Sequence, residues 1–252
     1  MTVTTAGSPL GADSGYELVS DPARAREALS LRCGGCLPPL LYETDTPLGE
    51  VPLDFPPSAR QLWLYAHKPG RPATWIRKRR EFLDHRLYIL LSDRDPFSFT
   101  AARILSSLGV PCGLRQEAEQ PDWEAWADLL GYAAYAAVPH APVEPFASAM
   151  RSYRPERARP FCMDALAIIV RQSRKPSGPD ADATDLSNIR EREMCDAERV
   201  DRFFLDRHPC SFCPAWRVCM GTYERIRGEG ENTCSVFFRE WMEACECPAI
   251  EK

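Results

Sequence analysis

Between residues 61 and 137 the chain alternates short apolar runs with longer amphipathic segments. The runs lack the polar alternation of a strand that has one face in water, so they predict strands covered on both faces. The predicted strands are 61–67, 87–92 and 110–115, and the predicted helices that follow them are 74–85, 96–108 and 121–137. Because strand and helix alternate, the pattern favours an α/β fold with a parallel sheet, either open or closed into part of a barrel.

The composition is that of a water-soluble chain that can form a core. Of the 252 residues, 44% are hydrophobic and 27% are charged, and no apolar run approaches the roughly 20 residues of a membrane-spanning helix. The formal charge of −5 disfavours general attraction to nucleic acid. Residues 1–15 lack the charged and apolar regions of a secretion signal and predict a disordered leader, so we expect a cytoplasmic protein.

A change of composition predicts a domain boundary near residue 180. The segment 174–188 is rich in Pro, Gly, Ser and Asp, which is typical of a linker. Seven of the eleven cysteines follow it, between Cys195 and Cys247. We therefore expect an α/β region over 16–180 and a small, loop-rich cysteine domain over 181–252. In a reducing compartment such a cysteine-rich segment indicates metal binding or redox chemistry rather than disulfides.

Three cysteines of that segment have the spacing of a metal or cluster site. Cys210, Cys213 and Cys219 form C-x2-C-x5-C within HPCSFCPAWRVCMG, where Gly221 permits a reversal of the chain. Cys234 is the nearest downstream candidate for a fourth ligand. Thiolates select a [4Fe–4S] cluster or Zn²⁺. One C-x2-C pair joined to two single cysteines favours the cluster, because a structural zinc site usually has two such pairs.

Aromatic residues lie close to these cysteines in the sequence. They predict either an apolar shield that controls solvent access to a cluster or simply a small core. The residues are Phe212, Trp216, Phe237 and Phe238.

The run from Cys210 to Cys234 resembles the SPASM domain, the C-terminal auxiliary-cluster region of many radical-SAM enzymes that modify ribosomally made peptides. The family pattern is C-x2-C-x5-C-x3-C, followed by a gap and a last cysteine. The resemblance implies that Cys210, Cys213, Cys219 and Cys234 bind the second auxiliary [4Fe–4S] cluster. Tyr223 occupies the x3-C position, whose cysteine helps to hold the first auxiliary cluster in the family. That first cluster is therefore expected to be absent or rebuilt from other residues.

The motif with which radical-SAM enzymes cleave S-adenosylmethionine, C-x3-C-x2-C, is incomplete in this chain. Its nearest candidate is LSLRCGGC, in which Leu29 replaces the first cysteine before Cys33, and Gly35 replaces the usual aromatic residue before Cys36. The chain is therefore similar to the pseudo-radical-SAM proteins, which keep a SPASM-like end and accompany an intact radical-SAM maturase. This resemblance implies an accessory protein that meets the maturase or its precursor peptide, with region 16–180 as a remnant barrel.

Two alternatives stay open. A divergent radical-SAM enzyme would take a third ligand from elsewhere to complete a site with Cys33 and Cys36, which could also form a redox pair or half of a second metal site. A zinc-stabilised interaction module would have no redox role. The resemblance itself favours a protein without enzymatic activity of its own.

Several other residues have structural interpretations. Cys112 lies in an apolar run and predicts a buried thiol. Trp123, Trp126 and Leu130 recur at helical spacing and predict a core face. His208, which directly precedes the cysteine run, is interpreted as a loop residue.

Overall fold

A computed structural model describes residues 17–21, 23–25, 27, 40–51, 62–78, 87–156, 161–173, 197–221 and 233–246. The predicted leader at 1–15, the predicted linker at 174–188, and Cys33 and Cys36 lie outside these residues. In the described ranges, no helix combines the length and apolar character that crossing a bilayer requires.

Six parallel strands form one sheet in the described part of the chain, and their order across the sheet is their order along the sequence. Neighbours pair in parallel register, as Leu64 does with Ile89 and Ile89 with Cys112. The strands are β1 Glu17–Val19, β2 Leu40–Thr44, β3 Leu62–Ala66, β4 Leu87–Ser92, β5 Cys112–Arg115 and β6 Val143–Glu144. The predicted α/β class is therefore confirmed, and the sequential order is consistent with part of a (β/α) barrel.

Eight α-helices lie in the described part of the chain. They are α1 Pro72–Lys78, α2 Phe97–Ser107, α3 Trp123–Tyr135, α4 Phe146–Ser152, α5 Ala165–Ser173, α6 Ala197–Leu205, α7 Trp216–Cys219 and α8 Thr233–Glu246. The predicted strand–helix alternation between 61 and 137 is confirmed. α3 begins after Asp122, whose carboxylate accepts a hydrogen bond from the Ala125 amide at 3.0 Å, so the loop into this helix ends on a side-chain cap.

One face of the sheet packs against helices α1, α2, α3 and α8. Leu40, Leu64 and Ile89 lie on this face and belong to one hydrophobic core with residues of these helices. The predicted core residues Cys112, Trp123, Trp126 and Leu130 are part of the same core. Burial of this face alone would require apolar residues only at every second strand position. The continuous apolar runs therefore require that the opposite face is covered as well.

The opposite face of the sheet packs against helix α5. Leu41, Trp63, Tyr65 and Leu90 form a second apolar cluster with Ala165, Leu166 and Ile169 of α5. Gly113 of β5 makes this packing possible, because a Cβ at that position would lie 2.5 Å from the Ala165 Cβ. The apolar part of this face is thereby buried, and polar side chains follow it toward the carboxyl ends of the strands.

Helix α8 joins the cysteine-rich part of the chain to the α/β region. Trp241 is fully buried, with its ring centroid 4.4 Å from that of Phe161 and 5.0 Å from that of Phe146. Phe237 and Phe238 of the same helix contact the ring of Trp123 in α3. A single core therefore extends from the sheet to residues on both sides of position 180.

Candidate functional site

The cysteine run begins with a tight turn after helix α6. His208 accepts a hydrogen bond on Nδ1 from the Cys210 amide at 3.2 Å, so this residue organises the turn that carries the first cysteine. The Cys213 amide then donates to the Cys210 carbonyl at 3.1 Å, which closes the short 3-10 helix Pro209–Phe212. The first two cysteines therefore lie on one compact turn, as the C-x2-C spacing predicts.

The third cysteine ends helix α7, and the chain then reverses. Met220 and Gly221 both have left-handed backbone angles, with φ of 50° and 68°. A Cβ at Gly221 would lie 2.7 Å from the ring of Phe203, so glycine is required there for space as well as for conformation. The reversal predicted at Gly221 is thus present directly after Cys219.

The four predicted ligands lie in elements that pack on the main core. Cys210 is buried, while Cys213, Cys219 and Cys234 are partly buried against the core and form no disulfide. Among the described residues, no three or more His, Cys, Asp or Glu side chains are arranged as a group that could hold a metal ion. The elements that carry the cysteines therefore pack on one core, and the ligand set itself stays a prediction.

The predicted aromatic shield is divided between core and surface. Phe237 and Phe238 are buried in the core, and Trp216 packs edge-on against Phe203 at a centroid distance of 5.6 Å. Phe212, however, is 75% exposed, so most of its side chain lies in solvent rather than in the core. Proximity in the sequence does not determine on which side of a turn a side chain lies.

Two other cysteines are held as neutral thiols. Complete burial raises the pKa of Cys112 to about 12, and its Sγ donates to the Ala102 carbonyl at 3.3 Å. Burial and the nearby Glu246 carboxylate raise the pKa of Cys245 to about 12. Because a thiol must lose its proton to act as a ligand or a nucleophile, burial opposes both roles at these two positions.

A second constellation lies at the carboxyl ends of strands β2 to β5, on the face that α5 covers. We call it the carboxyl-edge cluster. At its β2 and β3 side, His67 Nε2 is hydrogen bonded to Glu43 Oε1 at 2.9 Å. The His67 ring lies 4.4 Å from that of Tyr65. The complete cluster consists of Glu43, Tyr65, His67, Ser92, Arg115, Glu117 and Asp164.

Arg115 is the centre of this cluster. Its Nε donates to Asp164 Oδ1 at 3.0 Å, and its Nη1 lies 3.3 Å from Glu117 Oε1. The guanidinium carbon also lies 5.0 Å from the centre of the Tyr65 ring. Ser92 donates from Oγ to the second oxygen of Glu117 at 2.9 Å. One cation is thus held between two carboxylates and an aromatic ring.

The pKa values of the cluster follow from these contacts. Burial raises the pKa of Glu117, but the nearby Tyr65 hydroxyl dipole, the hydrogen bond from Ser92 and the charges of Arg115 and Arg94 outweigh burial, so the pKa lies below its ordinary value. Burial lowers the pKa of Arg115, but Asp164, Tyr65 and Glu117 raise it above the ordinary value. The two charges therefore stabilise one another.

Comparisons of the chain with protein-family models, curated proteins and solved structures find no match. The assignment of a function therefore depends on the cysteine run and on the carboxyl-edge cluster.

Sequence reasoning missed the carboxyl-edge cluster, although part of its signal was present. His67, Ser92 and Arg115 each lie at or just after the end of a predicted strand, and the carboxyl ends of parallel strands meet at one edge of a sheet. Polar residues at those three positions could therefore have been grouped. Nothing in the sequence indicated that Asp164 would return to the end of β5, where it bridges to Arg115 in antiparallel fashion.

Asp93 holds the backbone of the loop that carries Glu117. Its Oδ1 accepts hydrogen bonds from the amides of Glu117 and Ala118 at 2.7 and 2.8 Å, and its Oδ2 accepts one from Trp126 Nε1 at 3.3 Å. Burial raises the pKa of Asp93 above 3.8 in spite of these bonds. The carboxylate thus fixes the loop that carries Glu117, at the cost of burying a charge.

We expect the stability difference between wild type and Asp93→Asn to depend on pH. The folded wild type binds its proton more tightly than the unfolded chain, so its stability relative to the variant falls as pH rises above 3.8. The variant loses the acceptor for Trp126 Nε1, which costs about 1 kcal/mol at all pH values. Urea unfolding of both proteins between pH 3.5 and 7 measures this difference. The exposed Asp128→Asn is the control, and a pH-independent difference for Asp93→Asn would contradict the expectation.

Proposed function

We propose that the protein is an iron–sulfur accessory protein of radical-SAM peptide modification, without S-adenosylmethionine cleavage of its own. Cys210, Cys213, Cys219 and Cys234 would ligate one [4Fe–4S] cluster, in a small loop-rich segment that follows residue 180. The observation that supports the proposal is the compact run of turns that carries Cys210, Cys213 and Cys219 against the aromatic core. The incomplete motif at Cys33 and Cys36 supports the accessory role.

The donor set fits such a cluster chemically, because four cysteine thiolates are its usual ligands. When bound, the cluster supplies one-electron transfer. His208 holds the amide of Cys210, and the reversal at Met220 and Gly221 ends the turn after Cys219. These contacts fix the backbone of the ligands, while metal binding would supply the energy that orders their side chains.

The α/β region would contact the maturase or its precursor peptide. The arrangement of the parallel sheet supports this part of the proposal. Helix α5 covers the apolar part of one face, and the polar carboxyl edge remains partly exposed. A protein of this kind would bind a partner at its surface rather than enclose a reaction.

Metal analysis tests the proposal directly. Anaerobically purified wild type is expected to contain about four iron and four sulfide per chain, with broad visible absorption. Cys213→Ala should lose most of the iron and of the absorption. Cys245→Ala is the matched control, because this partly buried thiol lies at the far end of helix α8 from Cys234 and should leave the iron content unchanged.

Other results would each identify an alternative. One zinc and no iron would contradict the proposal and support the zinc-stabilised module, whereas about eight irons would bring Cys33 and Cys36 in as ligands of a second cluster. The same reduced preparation should form no 5′-deoxyadenosine from S-adenosylmethionine. Formation of that product would support the divergent radical-SAM enzyme instead.

A further inference from the structure

The carboxyl-edge cluster has an excess of negative charge that solvent can reach. Glu117 and Asp164 both pair with the guanidinium of Arg115, and a third carboxylate, Glu43, is bonded to His67. The side chains of Glu43 and Asp164 are 35% and 39% exposed. An exposed excess of carboxylates attracts cations to the cluster.

The charges that flank the cluster do not remove this excess. Asp93 lies behind Glu117 and accepts hydrogen bonds from the amides of Glu117 and Ala118. Arg94 donates from Nε to the Glu117 carbonyl at 3.3 Å. These two opposite charges offset one another, so the cluster still contains three carboxylates for one guanidinium.

The hydroxyl of Tyr65 is an independent indication of a ligand. Tyr65 is only 1% exposed, and its hydroxyl approaches Glu117 and Ser92 without meeting any described group at hydrogen-bond geometry. A buried hydroxyl without a partner costs about 1–3 kcal/mol, so native proteins rarely leave one. Burial, then Glu117, raises the pKa of Tyr65 far above its usual 10, so the hydroxyl stays protonated and its oxygen can accept an N–H.

The position of the cluster in the fold is that of a ligand site. Glu43 pairs in register with Tyr65, and Ser92 with Arg115, so four neighbouring strands bring their side chains to one edge. The carboxyl ends of the strands are where α/β folds with parallel sheets bind their ligands. Below this edge, α5 seals the apolar part of the face.

We propose that the carboxyl-edge cluster binds a compact organic cation, an ammonium or guanidinium group, with Glu117, Asp164 and the Tyr65 hydroxyl as acceptors. Its N–H groups would supply the donors that the cluster lacks, and its charge would offset the excess of carboxylate. If the cation belongs to a peptide, this inference deepens the proposed function, but its test does not require a bound cluster.

Calorimetric titration of the full chain with four probes tests this proposal. Nα-acetyl-lysine amide, called acetyl-lysine amide below, keeps its charged ε-ammonium on a peptide-like backbone, and butylamine carries an ammonium without a backbone. The Nα-acetyl amides of glutamine and glutamate are the neutral and anionic controls. We expect the two cations to bind saturably and about tenfold or more tighter than the glutamine probe, since a charge-assisted hydrogen bond has about that value. Tighter binding of acetyl-lysine amide would indicate a peptide source, and equal binding a free amine.

Two variants locate the binding site. Glu117→Gln should weaken binding of acetyl-lysine amide about tenfold. Tyr65→Phe should weaken it severalfold and change the melting temperature little, because the lost hydroxyl makes no hydrogen bond of normal geometry in the described structure. Glu119→Gln is the matched control, since this exposed carboxylate lies on the same loop and should change nothing.

Several results would overturn the inference: no saturable binding of either cation, equal or tighter binding of the glutamine or glutamate probe, or wild-type affinity in both Glu117→Gln and Tyr65→Phe. Iron is measured in the same preparations. A protein that holds a cluster but binds no cation would contradict this inference alone, and one that binds cations but holds no iron would contradict the proposed function alone.

Discussion

Replacing Gly113 with alanine is expected to destabilise the fold by about 3 kcal/mol, the upper part of the range for overpacked cores. The added Cβ would lie 2.5 Å from the Ala165 Cβ and 3.2 Å from the Glu144 carbonyl oxygen. Both obstacles are rigid, because one is attached directly to the backbone of α5 and the other belongs to the backbone of β6. Helix α5 would have to move away from the sheet to admit the methyl group.

Urea unfolding measures the effect, and Gly131→Ala is its control. Gly131 lies inside helix α3, where an added Cβ would meet nothing within 4 Å. Alanine there should stabilise the protein by about 0.5–1 kcal/mol, because glycine in a helix interior has more freedom to lose on folding. An unchanged midpoint for Gly113→Ala would mean that α5 does not press on β5.

Replacing Trp241 with alanine is expected to cost about 3–5 kcal/mol, as is usual for a large aromatic side chain that is completely buried. The ring contacts Phe146 of α4 and Phe161 on the segment before α5, so its loss leaves a cavity between α8 and the α/β region. Trp241→Phe is the matched variant. It keeps an aromatic ring and removes an indole N–H that has no hydrogen-bond partner among the described residues, so it should cost much less.

The shape of the transition in this experiment also tests the boundary predicted near residue 180. Because Trp241 belongs to the core that includes the sheet, we expect one cooperative transition that shifts as a whole in Trp241→Ala. Two transitions, of which only the second responds to the mutation, would indicate a cysteine domain that unfolds by itself.

The central part of the fold could be predicted from sequence because its strands are buried on both faces. β3, β4 and β5 are continuous apolar runs, each followed by an amphipathic helix. β1 and β6 have only three and two residues, too few for any periodicity to be visible. β2, which lies between Pro39 and Asp45, is outside the alternation predicted over 61–137.

The region that covers the second face could not be predicted, because its position is set by tertiary packing. The apolar run that contains α5 has no pattern that separates strand from helix. Its place is set by the close approach of Ala165 to Gly113 and by the apolar cluster that α5 forms with the strands. The burial of the Tyr65 hydroxyl without a hydrogen-bond partner likewise follows from tertiary packing and not from a local pattern. For the cysteines, spacing predicts the turns that the backbone adopts, whereas the proposed convergence of the side chains on a cluster depends on contacts that spacing does not determine.

The order of the strands has a consequence for how the chain folds during synthesis. Paired strands lie roughly 20 to 30 residues apart, so each one leaves the ribosome only seconds after its partner. The sheet can therefore grow strand by strand while translation continues. The aromatic surface of Trp123, Trp126 and Phe146 stays uncovered for much longer. Helix α8, which packs on it in the folded protein, is synthesised about 100 residues later. During that interval the nascent protein presents this surface to chaperones and to other nascent chains.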